Sequence, residues 1–412
     1  MRKDWEIKIL SEACKVFADG DWIESKDQSS EGIRLIQTGN IGFGYYKDKV
    51  DKSRFVSEET FKRLRCTEIK AGDLLVSRLP DPVGKSCIIP ETNTKMITGV
   101  DCTIIRPKDF LLSEFLCYYQ MSDKYLKDVQ IGVSGATRQR ISRKSLGQIK
   151  IPLPPLAEQQ KIVSILDDAY ESIERAKSNA EQNLKNAKEL FESYLKNIFN
   201  TNEVGWINST IGETCNLQTG GTPSTSKKEY YDGGSIKWLV SGDINQKVIE
   251  DCEGRITEAG MKNSNTKYLQ INSVLIALNG QGKTRGTVAM LRTKATCNQS
   301  LVSIYPKNEK ELLPELVFSN LEGRYEEIRK MTGDSGNDRR GLNMPLIRSI
   351  KFSYPKSISI QKQVIKKLDL LRSEIKKLEL VYQQKLNDLE ELKKSILQKA
   401  FNGELKTSKI SA

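Results

Sequence analysis

A helical run from Leu156 to Asn200 occurs a second time in the same chain, and that repetition constrains the fold more than any other feature. Adding 202 to each position from Gln159 to Asn200 lands on Gln361 to Asn402 without a gap. Twelve of those 42 columns are identical, among them Gln159/Gln361, Leu166/Leu368, Asp167/Asp369, Ile173/Ile375 and Phe199/Phe401. Self-similarity at a fixed period marks a duplicated architecture. With 412 residues and roughly 150 per domain, two globular blocks, each followed by a long helix, account for the length.

The apolar seam of the first copy runs Ile162, Leu166, Ala169, Ile173, Ala176, Ala180, a 3-4 spacing that predicts a coiled-coil stripe. It then takes a second step of four to Leu184, a stutter that relaxes the supercoil locally. The second copy runs Val364, Leu368, Leu371, Ile375, Leu378, Tyr382, Leu386, with its double step of four at the corresponding place. Matching breaks predict that the two helices pack on each other and not only on their own blocks. The first seam continues through Ala187, Phe191, Tyr194 and Ile198, so it spans roughly 55 Å at 1.5 Å per residue, longer than a domain of this size is wide. Related by a pseudo-two-fold, the copies are expected to lie antiparallel.

Before the first helix, short apolar runs alternate with turn clusters. Candidate strands are Ile33 to Gln37, Asp73 to Ser77, Cys87 to Pro90 and Cys102 to Arg106, and one helix is predicted from an N-cap at Ser113 through Val129. A short edge strand and a proline stop, IKIPLPPL, lead into the long helix. The second block repeats the order: Trp5 is answered by Trp206, IRLIQTGNI by IKWLVSGDI, GDLLVSR by NSVLIAL and Cys14 by Cys215. The pattern predicts an α+β chain of two mixed blocks, 1–155 and 201–356, with spacer helices 156–200 and 357–406.

Composition removes several kinds of chemistry. The chain has no histidine, which excludes Ser-His-Asp and Cys-His nucleophiles and H-E-x-x-H metal sites. Its eight cysteines are single, with no C-x-x-C, and read as reduced and mostly buried. Gly282-Lys283-Thr284 ends like a phosphate loop, but Ala277 stands where the pattern needs glycine, and Gly84-Lys85-Ser86 fails in the same way at Leu79. Gly42-x-Gly44 precedes charges and not a helix, so it is a poor dinucleotide or methyl-donor signature. No catalytic constellation is found, and no cofactor is expected in this chain. Without an apolar run long enough to cross a bilayer, a cytoplasmic location is expected.

The balance of 65 Lys+Arg against 53 Asp+Glu, a net +12 with a pI of about 9.1, points to a polyanionic partner. Basic, glycine-containing loops recur at corresponding places in both blocks. They present Arg78, Lys85, Arg138, Gln139 and Arg140 in the first, and Asn279, Gln281, Lys283, Thr284, Arg285, Asn337, Arg339 and Arg340 in the second. Glycine lets backbone approach phosphate, Lys and Arg attract it, and Gln, Asn and Arg can pair with base edges. These residues are the candidate DNA contacts. A coiled-coil scaffold that joins proteins without reading DNA is the alternative from a different class.

Two divergent blocks, each closed by a proline stop of the type IPLPPLAEQQKIV (151–163) and a long helix, resemble the specificity subunit of a Type I restriction-modification enzyme over essentially the whole chain. The second stop, FSYPKSISIQKQVI, lacks the Pro-Pro pair and has Ile360 where Glu158 stands. The resemblance implies a non-catalytic chain whose blocks each read one half of a split, asymmetric double-stranded DNA target, with the helices as spacer. It also implies two methyltransferase subunits that modify adenine N6, and restriction subunits. S-adenosylmethionine, ATP and magnesium would then reside on those partners. Glu158, Gln159 and Gln361 are the expected partner-subunit contacts.

Overall fold

The computed structural model describes residues 5–135, 139–199, 204–280, 284–332 and 341–405. The chain divides into two units, one comprising residues up to 180 and from 384 onward, the other residues 181–383.

In the first unit the central sheet has the order Cys14–Asp19, Cys102–Pro107, Leu74–Ser77, Ser86–Ile88, all antiparallel. Period-2 alternation determines its two faces. Leu74, Val76 and Ile105 point into a core shared with the helix Ser113–Gln120, whereas Leu75 and Ile104 point the other way against Ile36, Ile41 and Ile69. A smaller sheet, in which Ile33–Ile36 pairs in parallel with Met96–Thr98, covers that second face. Glu6–Ile9 pairs with Lys150–Leu153 just before the long helix begins.

The second unit repeats the plan. Its sheet order is Cys215–Thr219, Leu301–Pro306, Val274–Ala277, Val288–Leu291, with Val248–Ile249 added at the edge. Val274, Ile276, Val302 and Ile304 face one core, and Leu275, Ala277 and Leu301 face the other. Ile236–Leu239 again pairs in parallel with Thr296–Cys297, and Trp206–Thr210 pairs with Lys351–Pro355. The pairings start alike, Cys14 facing Pro107 and Cys215 facing Pro306, but the first unit's register shifts between Cys14 and Val16 where the second unit's runs on without a break.

The single helix expected from Ser113 to Val129 is two, Ser113–Gln120 and Asp123–Ile131. Ser122 breaks it: its hydroxyl oxygen accepts from the Tyr125 amide at 3.3 Å and so caps a new helix. Ser113 is not the N-cap, which is Leu112, and its hydroxyl donates instead to the Gly72 carbonyl at 2.7 Å.

The long helices span Leu156–Phe199 and Ile358–Asn402. Each unit contains part of both, and within each unit they run antiparallel. In the first, Glu174 and Lys393 are 2.8 Å apart and Lys177 pairs with Glu390, so three residues forward on one helix is three back on the other. In the second, Lys188 and Glu379 are 2.9 Å apart. The first unit's core holds Ile162 and Leu166 from the start of one helix and Leu397, Ala400 and Phe401 from the end of the other, with the Phe401 ring edge-on to Phe115 and Tyr119. The second unit's core holds Leu195 and Phe199 from the end of one and Leu368 from the start of the other. No helix among the described residues is long and apolar enough to cross a membrane.

Candidate nucleic-acid interface

Strand register determines where the loops emerge. In the first unit Asp19 pairs with Thr103 and Ser77 with Cys102, so the loops after Asp19, after Ser77 and before Cys102 all leave one end of the sheet. In the second unit Thr219 pairs with Val302 and Ala277 with Leu301, which gathers the corresponding loops in the same way. The other end of each sheet carries the junction with a long helix.

In the first unit the hairpin between Ser77 and Ser86 holds Arg78 and Lys85. It is closed by Gly84 N–H donating to the Ser77 carbonyl at 2.8 Å. Gly84 lies at φ +88, and a Cβ there would stand 2.9 Å from Val129 Cγ2, so only glycine fits. Lys85 Nζ donates to the Asp81 carbonyl at 3.0 Å. Burial, and then the nearby Lys47 and Lys49, hold its ammonium below the usual lysine range.

Arg78 does not present its charge to solvent. It is 4% exposed, with Nη2 3.2 Å from Asp19 Oδ2 and donating to the Val100 carbonyl. That corrects the expectation of a DNA contact at Arg78: its guanidinium fastens the loops after Asp19 and before Cys102 to the hairpin. Arg140 lies beside it, half-exposed, 3.2 Å from Asp101 Oδ1, and the Ile141 amide donates to the Arg78 carbonyl at 3.3 Å. Gln139 is exposed, and Arg138 lies outside the described residues.

In the second unit Asn279 is exposed and Thr284 half-buried, in a loop turned by Gly280 at φ +138. Leu342 N–H donates to the Leu278 carbonyl at 2.9 Å, and a Cβ on Gly341 would overlap Asn279 Oδ1, so the chain after residue 340 lies directly on this loop. Arg285, also expected as a DNA contact, is 6% exposed and so does not present its charge to solvent either. Gln281, Lys283, Asn337, Arg339 and Arg340 lie outside the described residues.

At the far end of each sheet the structure explains the repeated glutamine. Gln159 is fully buried; its Oε1 accepts from the Leu112 amide at 2.9 Å, and its Nε2 donates to the carbonyls of Phe110 at 2.8 Å and Pro154 at 2.9 Å. Gln361 repeats all three bonds, to Leu313, Glu311 and Pro355, at 3.0, 2.7 and 2.8 Å. Neither side chain can touch a partner subunit, so that expectation is corrected: both glutamines staple a long helix to its block. Glu158 is half-buried and accepts from Trp5 Nε1 at 3.3 Å.

The sequence reading missed one loop. Ile41 and Tyr46 form a bridge, and Gly44 N–H donates to the Ser86 carbonyl at 2.9 Å, which lays residues 40–49 against the Lys85 hairpin. The signal available was the interleaving of aromatic and basic residues in Tyr45-Tyr46-Lys47-Asp48-Lys49. Among the described residues no group of acidic side chains and cysteines is placed to hold a metal.

Residues 2–184 and 203–391 each match the family described as the Type I restriction modification DNA specificity domain. The chain is 29% identical over 240 residues to the Escherichia coli Type I restriction enzyme EcoR124I/EcoR124II specificity subunit, covering 56% of this chain and 57% of that one. It is 24% identical over 359 residues to the MjaIX specificity subunit of Methanocaldococcus jannaschii, covering 77% and 78%. Among solved structures, the HsdS subunit from Thermoanaerobacter tengcongensis superposes with a TM-score of 0.65 at 18% identity, over 98% of both chains. A chain from a structure of a type I R-M system gives 0.78 at 18% identity, over 98% of this chain and 99% of that one.

Proposed function

The chain belongs to the Type I restriction-modification DNA specificity family, and from that premise we propose that it reads a bipartite, asymmetric duplex target with one half-site per unit. The observation that supports this most directly is the same order of four sheet strands in both units, with unlike loops gathered at the same end of each. A shared frame puts the loops in corresponding places, and unlike loop residues present different hydrogen-bonding groups to base edges there. Loops 78–85 and 139–141 would read one half-site and loops 278–287 and 341–342 the other.

In this proposal residues 1–155 and 201–356 are the recognition domains, the long helices determine the gap between half-sites, and methyltransferase and restriction subunits dock on the chain. The chain itself is non-catalytic. The methyl donor, ATP and magnesium act on the partners, and this chain's contribution is to bring them to one sequence. The deciding experiment is a comparison of the modified-adenine motif in the source genome with and without this gene. A split motif that disappears on deletion is the expected result, and an unchanged methylome overturns the proposal.

A further inference from the structure

Gly42-x-Gly44 is no nucleotide motif, yet both residues work in the structure. Gly42 N–H donates to the Tyr45 carbonyl at 2.8 Å, and a Cβ on Gly42 would stand 2.4 Å from that oxygen. Gly44 lies at φ +88, and a Cβ there would stand 2.4 Å from Met121 Sδ. Only glycine at both positions allows the turn to lie flat on the Lys85 hairpin while donating to Ser86. From that turn the chain presents Tyr45, 56% exposed, with Lys47 Nζ 5.3 Å from the centre of its ring. The backbone of Lys47 is fixed on both sides by Asn40, its amide donating to the Asn40 carbonyl at 2.8 Å and its carbonyl accepting from Asn40 Nδ2 at 3.0 Å. Lys49 follows, exposed.

We propose that Lys47, Lys49 and Lys85 form a phosphate clamp of the first unit, built by the glycine turn on the hairpin and gripping the backbone of duplex DNA beside the bases that the unit reads. Three ammonium groups are gathered at the loop end of the sheet, and none has a carboxylate within 4 Å among the described residues, whereas Arg34 and Asp48 neutralise each other at 2.9 Å. The site therefore suits repeated negative charge at the spacing of a nucleic-acid backbone. The second unit does not rebuild it: at the position of Gly44 stands Lys247, φ +64, paired with Glu322 at 3.4 Å, and at that of Lys47 stands Glu250. The inference rests on the DNA-reading proposal for its setting, but not for its test.

The test compares the full chain with its methyltransferase subunits, wild type against Lys47→Ala/Lys49→Ala, by fluorescence anisotropy on a duplex carrying the methylated motif and on a scrambled duplex, from 50 to 300 mM salt. Each lost phosphate contact removes about 0.9 from the slope of log K against log salt, so the double variant should lose roughly two on both duplexes while its preference between them stays the same. Lys85→Ala should remove about one more. Lys15→Ala/Lys108→Ala changes net charge equally but lies at the opposite end of the sheet, and should leave the slope unaltered. An unchanged slope in the clamp variant, or an equal loss in the Lys15/Lys108 control, overturns the clamp. Failure of the wild-type complex to prefer its motif overturns the reading of sequence instead, and the slope on either duplex still decides the clamp.

Discussion

At the residue scale, burial governs the thiols: Cys14 and Cys215 stand at equivalent positions of the two units, and all eight cysteines are buried. Burial pushes the thiols of Cys14, Cys87, Cys102 and Cys297 up to about 12 and that of Cys215 to about 11, against an ordinary value of about 8.5. In the folded chain these groups keep their protons where the unfolded chain gives them up. Their contribution is therefore complete below about pH 8.5 and is lost as pH rises toward 11 to 12. The urea midpoint should be lower at pH 10 than at pH 8, and Cys87→Ala, which removes a fully buried thiol from the sheet, should make the decline shallower. A decline of undiminished steepness in that variant rejects the thiol as a contributor. The single, unpatterned cysteines made their core role legible in the sequence, whereas the burial of Arg78 and Arg285 was not legible there. Both sit in loops that read as surface by composition, and the sequence carries no mark that distinguishes an arginine pointing outward from one turned inward onto Asp19 and a carbonyl. That distinction depends on which loops fold over which, a tertiary property.

At the element scale, legibility followed the strength of the local signal. Strands such as Leu74–Ser77 and Cys102–Pro107 are β-rich apolar runs bounded by turns, and they appeared within a residue or two of their expected limits. The sequence predicts one helix after Pro107 because LCYYQM is mostly apolar and its period runs past the break that Ser122 imposes. The repeated glutamine is a conspicuous identity in the sequence, but its role is not legible there, because a polar side chain at the first turn of a helix reads as exposed unless its partners are known. Its three bonds join the helix to the loop that follows the sheet and to the strand just before it, so it fixes the angle at which helix and block meet. Gln159→Ala leaves the Leu112 amide and two carbonyls without that partner inside the protein. A buried group so stranded costs about 1–3 kcal/mol, and relaxation of the loop keeps the total near ~3 kcal/mol. Amide exchange should localise the damage. Leu112 should lose protection in Gln159→Ala and Leu313 in Gln361→Ala, each with the other amide unaffected, and equal protection in variant and wild type would show that the bonds carry no load.

At the scale of the whole molecule, the duplicated helix was the most legible feature, and its partner was legible too. Stutters at matching positions predict that the copies pack on each other and a pseudo-two-fold predicts that they lie antiparallel, and ion pairs that step backward along one helix as they step forward along the other give that direction within the first unit. Neither the loop contacts nor the target bases were legible, because base readout depends on where a loop is held and not on its composition. If the helices determine the gap between half-sites, their length should be measurable on DNA. The deletion has to respect the seam: removing four residues turns everything beyond the cut by about 40°, whereas removing seven keeps the apolar stripe nearly in phase. It also has to be made in both helices, since an antiparallel pair shortened on one side alone loses its register. Deleting Glu174–Ala180 together with Asn387–Lys393 satisfies both conditions, and removes the pairs Glu174–Lys393 and Lys177–Glu390 intact instead of orphaning half of each. Seven residues of helix amount to about 10.5 Å, and one base pair to about 3.4 Å along the duplex. The preferred gap should therefore shorten by about three base pairs, with both half-sites unchanged, in a binding series over targets of stepped gap length. Retention of the original gap by a folded double-deletion chain would mean that something other than these helices sets the distance.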